Sequence, residues 1–194
     1  MPLIAKADGT KFGKTESGTI WLDPTKTSPY SFYQFWLNAA DADVYNFLRY
    51  FTFLSVEEIA EIEQADQERE GRPEAQSIFA AEVTKLVHGE DALAAAQRIT
   101  DALFSGDLGS LTSEDCEQLE LDGLPASGLD NLDGPLTSLF VDAGLAKNGS
   151  QAKDALQRNA VIVNGTAIGL AQNMDAAQIF VAEKALNKLL VFFA

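Results

Sequence analysis

The chain has 194 residues, of which 46% are hydrophobic and 22% charged, a balance that belongs to folded globular proteins and excludes a disordered chain. Its longest apolar run, Leu189 to Ala194, is far short of a membrane span, and Met1-Pro2-Leu3-Ile4 lacks the basic and long apolar regions of a signal peptide. The formal net charge of −15 argues against nucleic acid, but residues 31–134 carry it: they hold 5 Lys+Arg against 22 Asp+Glu, whereas residues 1–30 hold 4 against 3 and residues 135–194 hold 5 against 4.

Residues 3–22 read as extended, with a turn at Asp8-Gly9 and a short β-favouring run at Thr19-Ile20-Trp21-Leu22. Ser28-Pro29 supplies an N-cap followed by proline at the first helical position. Tyr30, Tyr33 and Phe35-Trp36-Leu37, then Val44, Phe47, Leu48 and Phe51 in a helix from about Asp41, repeat at helical spacing and predict an aromatic helical core. Ser55-Val56-Glu57-Glu58 matches a capping box and opens a third helix, with Ile59 and Ile62 inward and Gly71-Arg72-Pro73 as its breaker. Two more amphipathic helices follow over residues 74–88 and 90–104. They are divided at His88-Gly89, where a histidine in the last turn serves the helix end better than catalysis.

Residues 106–134 read as a linker rich in Gly, Asp, Ser and Leu, interrupted by a helix near residues 113–121. Cys116 lies in that helix with no base nearby and reads as a passive thiol; the single cysteine excludes an internal disulfide framework and fits a reducing cytoplasm. One cysteine and one histidine cannot build a zinc site of the usual ligand count, so no metal site is expected. Beyond the linker, Leu136, Leu139 and Phe140 make a short helix ended by Gly144. Ser150 caps the next, with Ala152, Ala155 and Leu156 inward. Val161-Ile162-Val163 is a strand turning at Asn164-Gly165, and further strand candidates lie in residues 179–194. The fold class expected is mainly α, with a small α+β module at residues 135–194.

The chemistry-bearing stretch is Asp8-Gly9-Thr10-Lys11-Phe12-Gly13-Lys14-Thr15-Glu16-Ser17-Gly18. A P-loop, G-x-x-x-x-G-K-S/T, needs four residues between its glycines and a helix directly after it; here three residues separate Gly9 from Gly13, and a β-like run follows. What the residues do supply is a mobile loop: glycine for backbone freedom, two ammonium groups and a hydroxyl that could converge on a triphosphate held elsewhere. A plain polar hairpin loop fits the same residues.

Lys11-Phe12-Gly13-Lys14-Thr15 resembles the KMSKS signature of class I aminoacyl-tRNA synthetases in its K-F-G-K-S/T form. With Trp21-Leu22-Asp23-Pro24 and Ser28-Pro29-Tyr30-Ser31-Phe32-Tyr33-Gln34-Phe35-Trp36, the chain is similar to bacterial tyrosyl-tRNA synthetases, and Ser150-Gln151-Ala152-Lys153 with Val161-Ile162-Val163-Asn164-Gly165 resembles their terminal S4-like RNA-binding domain. The resemblance implies four segments: residues 1–27 as the end of a catalytic domain, 28–105 as a helical anticodon-binding domain, 106–134 as a linker and 135–194 as the S4-like domain.

It implies that Lys14 is the main ATP contact, with Lys11 and Thr15 assisting and Gly13 as hinge; magnesium accompanies ATP in the complete enzyme. The partners implied are tRNA(Tyr), and tyrosine and ATP once the family's upstream nucleotide-binding fold is present. That fold, with its HIGH-type motif, is absent from this sequence, so the expectation is the C-terminal half of an enzyme, inactive alone and monomeric, whose parent is a homodimer, cytoplasmic and without membrane contact. Asp41 and Asp43 are candidates to accept hydrogen bonds from a guanine edge, against ordinary N-capping. Lys147, Ser150, Lys153, Arg158 and Lys184 are candidates for RNA contact, though Asp154 stands where S4 helices often carry a second basic residue. The alternatives are a stand-alone RNA-binding adaptor without catalysis, or an acidic protein-interaction domain using the surface of residues 55–105.

Overall fold

A computed structural model describes residues 19–124, 126–128, 135–163, 166–169, 181–184 and 188–193. The loop that carries Lys11, Gly13, Lys14 and Thr15 lies outside the described residues. The chain divides into two units, Met1–Ala96 and Gln97–Ala194.

The first unit is helical. Residues 19–22 form no strand. Asp23 Oδ1 instead accepts hydrogen bonds from Thr25 N at 3.0 Å and Thr25 Oγ1 at 2.8 Å, and Trp21 N donates to Thr27 Oγ1 at 3.1 Å. These side chains offer the backbone a turn in place of a strand ladder, which overrides the β-favouring residues. Helix α1 (Pro29–Leu37) then starts as its sequence predicts: Ser28 Oγ accepts from Ser31 N, and proline occupies a position whose N–H would have no partner. Helix α2 (Asp41–Phe51) follows. Helix α3 (Val56–Glu68) opens on the expected capping box, with both of its reciprocal bonds between Ser55 and Glu58 formed.

Helix α4 (Ala75–His88) has a cap that no local pattern announces. Asp66 of α3 accepts from Glu74 N at 2.7 Å and Ala75 N at 3.1 Å, and it also receives the Tyr45 hydroxyl at 3.0 Å. Burial first, and the Asp66 carboxylate second, push the Tyr45 phenol up to about 12, so it remains a donor. The core consists of aromatic and aliphatic residues from these helices, among them Phe32, Trp36, Phe47, Leu48, Ile59 and Phe79. Ile59 is fully inward as expected and Ile62 partly so. His88 packs edge-on against Phe32 with centroids 4.8 Å apart, and burial lowers its pKa. It lies in the last turn of α4, directly before the Gly89 cap, with its ring packed on Phe32.

Helix α5 (Glu90–Ser105) runs across the division into the second unit. The stretch expected as a linker forms a 3-10 turn (Leu108–Ser110), helix α6 (Ser113–Leu121) and strand β1 (Ala126–Gly128). Leu108, Leu111, Cys116 and Leu119 are buried there. Burial, aided by Asp115, pushes the Cys116 thiol up to about 11, which keeps it protonated and unreactive. Asp115 closes the α6 capping box with Thr112 and takes a two-pronged ion pair from Arg98, with Nε and Nη2 each at 2.7 Å.

Burial, the largest single influence, would raise the Asp115 carboxyl; the Arg98 guanidinium and the Thr112 hydrogen bonds together outweigh it and hold the group below its usual range. Breaking a buried pair typically costs about 3–5 kcal/mol. The Arg98 side chain is 38% exposed, so water offsets part of the loss, and Arg98→Met is expected to cost about 2–3 kcal/mol at pH 7. A lowered carboxyl pKa stabilises the fold above the unfolded value of about 3.9 and ceases to do so as pH falls through the folded value. The gap between wild type and variant, followed by far-UV circular dichroism in urea, should therefore narrow below about pH 4. A gap that stayed constant with pH would remove the ion pair as its cause.

Helices α7 (Leu136–Asp142) and α8 (Gly149–Gln157) pack over a core of Leu139, Phe140, Leu156, Val161 and Ile168, with smaller alanines between them. Gly144 ends the α7 segment at φ 70°, as the sequence suggests. The cap of α8 is Asn148, whose Oδ1 accepts from Gln151 N at 2.9 Å; Ser150, expected as the cap, lies inside the helix. The helix ends with Asn159 at φ 51° and Ala160 N donating back to Ala155 O, a left-handed stop in which asparagine replaces the usual glycine.

Strands β2 (Val161–Val163), β3 (Thr166–Ile168), β4 (Val181–Lys184) and β5 (Lys188–Phe193) join β1 in a sheet of order β1-β5-β4-β2-β3. The pairs are antiparallel except β1 with β5, which is parallel. The expected turn at Asn164-Gly165 lies outside the described residues, although the strands on either side of it pair in the register such a turn requires. Among the described residues no helix is long and apolar enough to cross a membrane.

Candidate RNA-binding surface

The first surface lies where α2 and α4 begin. Helix α2 is capped by Ala40 without a side-chain hydrogen bond, so neither Asp41 nor Asp43 acts as its N-cap. Both lie in the first turn, where the exposed N–H groups and the helix dipole favour negative charge. Their surroundings differ: Asp43 is 6% exposed, and Asp41 faces solvent. Residues two apart on a helix do not share a face, so one inward carboxylate leaves the other outward.

Asp41 is not left to rotate. Gln76 Nε2, from the first turn of α4, donates to Asp41 Oδ1. Arg72 Nη2 donates to Leu37 O at 3.4 Å, which places an exposed cation at the end of α1, just ahead of the α2 start. Neither Gln76 nor Arg72 is marked by a local motif. The contact of Gln76 spans 35 positions, beyond the reach of helix periodicity.

The second surface is in the other unit. Lys147, Ser150 and Lys153 are exposed around the first turns of α8. Lys147 N donates to Gln151 Oε1 at 2.8 Å, which ties the approach to the helix. Arg158 is exposed but bonded to Asp154 at 2.7 Å, one turn earlier, so the acidic residue that interrupts the basic face also occupies its arginine. An exposed i, i+4 pair of this kind is weak, about 0.3–0.5 kcal/mol, and gives way to a phosphate at small cost. Lys184 ends β4, and the strand register sets it opposite Lys188 of β5. Lys188 was not among the expected contacts; its signal is the pairing register, which the sequence does not display. Among the described residues no cluster of His, Cys, Asp and Glu could hold a metal ion.

Comparison with known proteins adds a family to this geometry. A family model described as tRNA synthetases class I (W and Y) matches residues 1–105. The chain is 64% identical over 165 residues to a protein of Chromobacterium violaceum named tyrosine–tRNA ligase, a match that takes in 85% of this chain and 39% of that relative. It is 54% identical over 186 residues to the protein of the same name from Aliivibrio salmonicida, covering 96% of this chain and 42% of the relative. Among solved structures, a C-terminally truncated mitochondrial tyrosyl-tRNA synthetase from Aspergillus nidulans matches at 35% identity with a TM-score of 0.43, over 50% of this chain and 27% of that one. The chain thus spans about two-fifths of the length of the curated relatives it matches.

Proposed function

The chain belongs to the class I tRNA synthetases (W and Y), among the tyrosyl members of that family, and we propose that it is the tRNA-recognising part of a tyrosine–tRNA ligase. Such an enzyme joins tyrosine to tRNA(Tyr) through a tyrosyl-adenylate made with ATP. In this reading the loop with Lys11, Gly13, Lys14 and Thr15 closes over the triphosphate, with magnesium as its companion, when the remaining part of the enzyme is present. The parent is a cytoplasmic homodimer, and this chain alone is a monomer without aminoacylation activity.

The observation that carries the RNA reading is the exposed Asp41 carboxylate at the α2 start, unused as a helix cap. RNA recognition by sequence works on unpaired bases whose Watson–Crick edges are free. Guanine offers two adjacent N–H donors on that edge, and an ionised carboxylate is an acceptor-only group with two oxygens. Lys147, Lys153, Arg158 and Lys184, with Ser150 as a hydroxyl donor, supply backbone contacts in the S4-like module and set register rather than sequence. Residues 28–105 then serve as the anticodon-binding domain, residues 106–134 as the connection and residues 135–194 as the S4-like domain.

A gel shift with tRNA(Tyr) over a salt series tests this. Each neutralised phosphate contributes about −0.9 to the slope of log K against log salt, so four cations predict a slope of about −3 to −4, shallow for an RNA-binding protein. Failure to bind any tRNA at low salt would remove the RNA assignment. A stand-alone adaptor would have no use for the triphosphate loop, which the family match includes.

A further inference from the structure

Gln76 and Asp41 belong to different helices and are 35 positions apart, yet their side chains meet. The two ends of the bond are unequal. Gln76 is 4% exposed, and Asp41 reaches solvent. A buried side chain keeps one rotamer, so the bond to Oδ1 narrows the rotation of the carboxylate and with it the directions open to Oδ2. Without that bond, an aspartate in a first helical turn would rotate among its staggered wells.

The amide's orientation follows from chemistry, because only its NH2 group can donate to a carboxylate oxygen. Its Oε1 is therefore turned away, and that atom is buried without a hydrogen-bond partner among the described residues. Leaving a buried carbonyl oxygen unserved is unfavourable for stability. An amide that tolerates this in order to hold an exposed carboxylate is serving the carboxylate.

We propose that Gln76 is a positioning residue that aims the Asp41 carboxylate at the Watson–Crick edge of an unpaired guanine, and so sets guanine specificity without touching the RNA. The proposal rests on the reading of the α2 start as a base-contacting surface. Guanine presents N1–H and N2–H side by side, and both bonds form only when the two carboxylate oxygens lie in the plane of the base. A carboxylate held there in advance does not lose rotamer freedom on binding. Each of the two hydrogen bonds to the ionised group adds to the preference for guanine over a base with fewer donors. Asp41 supplies the contact, and Gln76 makes both bonds available at once.

The test uses the full chain and the anticodon stem-loop of tRNA(Tyr), alongside a copy in which the loop guanines are replaced by inosine, which lacks the N2 amino group. Fluorescence anisotropy gives the ratio of the two dissociation constants. Wild type is expected to favour guanine by about tenfold, the value of one charge-assisted hydrogen bond. Gln76→Met, which keeps the volume and removes the donor, should reduce the ratio to about twofold or less while affinity for the inosine copy stays unchanged. Gln76→Glu, which sets an acceptor against the carboxylate, should do the same and provides the answer if the methionine variant does not fold. Retention of the full ratio by either folded variant, or an equal loss for both RNAs, overturns the positioning role. Asp41→Asn separates the layers. If it abolishes the ratio and the Gln76 variants keep it, the base-contacting surface stands and Gln76 is only structural. If wild type shows no preference, that surface and the role of Gln76 fall together.

Discussion

Truncating Phe79 to alanine is expected to lower the unfolding free energy of the first unit by about 3–5 kcal/mol, the range for a buried aromatic removed from a packed core. Phe79 is 0% exposed, and its ring faces those of Trp36 at 5.1 Å, Phe47 at 5.9 Å and Phe51 at 6.4 Å. One side chain of α4 thus joins rings from α1 and α2. Its loss removes apolar burial, several aromatic contacts worth about 0.5–1.5 kcal/mol each, and the wall between two helices. The neighbours are large and interlocked, so they cannot collapse into the gap, and the cavity cost remains. Both tryptophans of the chain, Trp21 and Trp36, lie in the first unit, so intrinsic fluorescence in urea reports that unit alone. A loss below about 1 kcal/mol would mean that this aromatic cluster is not the main source of stability for α1, α2 and α4.

Much of this unit is legible in the sequence because its determinants are local. Ser28-Pro29 and the Ser55–Glu58 box use atoms within a few residues of each other, and the aromatic spacing of α1 and α2 follows from one helical period. Local reading fails where partners are distant. Asp66 caps α4 from the preceding helix, eight and nine positions away and outside the three-residue span of a capping box, and β1 contains Ala-Ser-Gly, with no β-favouring residue; it exists because it pairs with β5, more than sixty positions later. Residues 106–134 read as a linker because polar residues surround Leu108, Leu111, Cys116 and Leu119, and the burial of these four side chains is not announced by any local period. At α8 two capping residues compete within three positions. Asn148 is chosen because its side chain reaches Gln151 N while Ala152, Ala155 and Leu156 face the core.

The candidate site follows the same division. Two carboxylates at Asp41 and Asp43 are visible in the sequence, and their spacing already states that they point apart. Which of them faces inward is decided by packing, and that Asp41 is held by Gln76 is decided by α4, whose sequence gives no sign of it. The basic residues are legible singly, but not the ion pair of Arg158 with Asp154 or the register that sets Lys184 opposite Lys188.

In an enzyme of the full length of its relatives carrying this sequence, Lys14→Ala is expected to slow tyrosyl-adenylate formation by about 10²–10³-fold, or ~3–4 kcal/mol of barrier. Pyrophosphate gains negative charge as it leaves ATP, and an ammonium brought to it by a closing loop is stronger in the transition state than in the ground state. In the proposed reading, Gly13 beside Lys14 would give the backbone its freedom to close, and Lys11 and Thr15 would add a second cation and a hydroxyl donor. The loss should therefore appear in the rate constant for adenylate formation under single-turnover conditions, with tyrosine affinity nearly unchanged, because no part of this loop needs to touch the amino acid. If the variant instead raised KM for ATP and left the rate constant intact, Lys14 would be a ground-state binding residue, and the transition-state role of the loop would be lost. If tyrosine binding fell as much as the rate, the loop would be supporting the architecture of the site rather than its electrostatics.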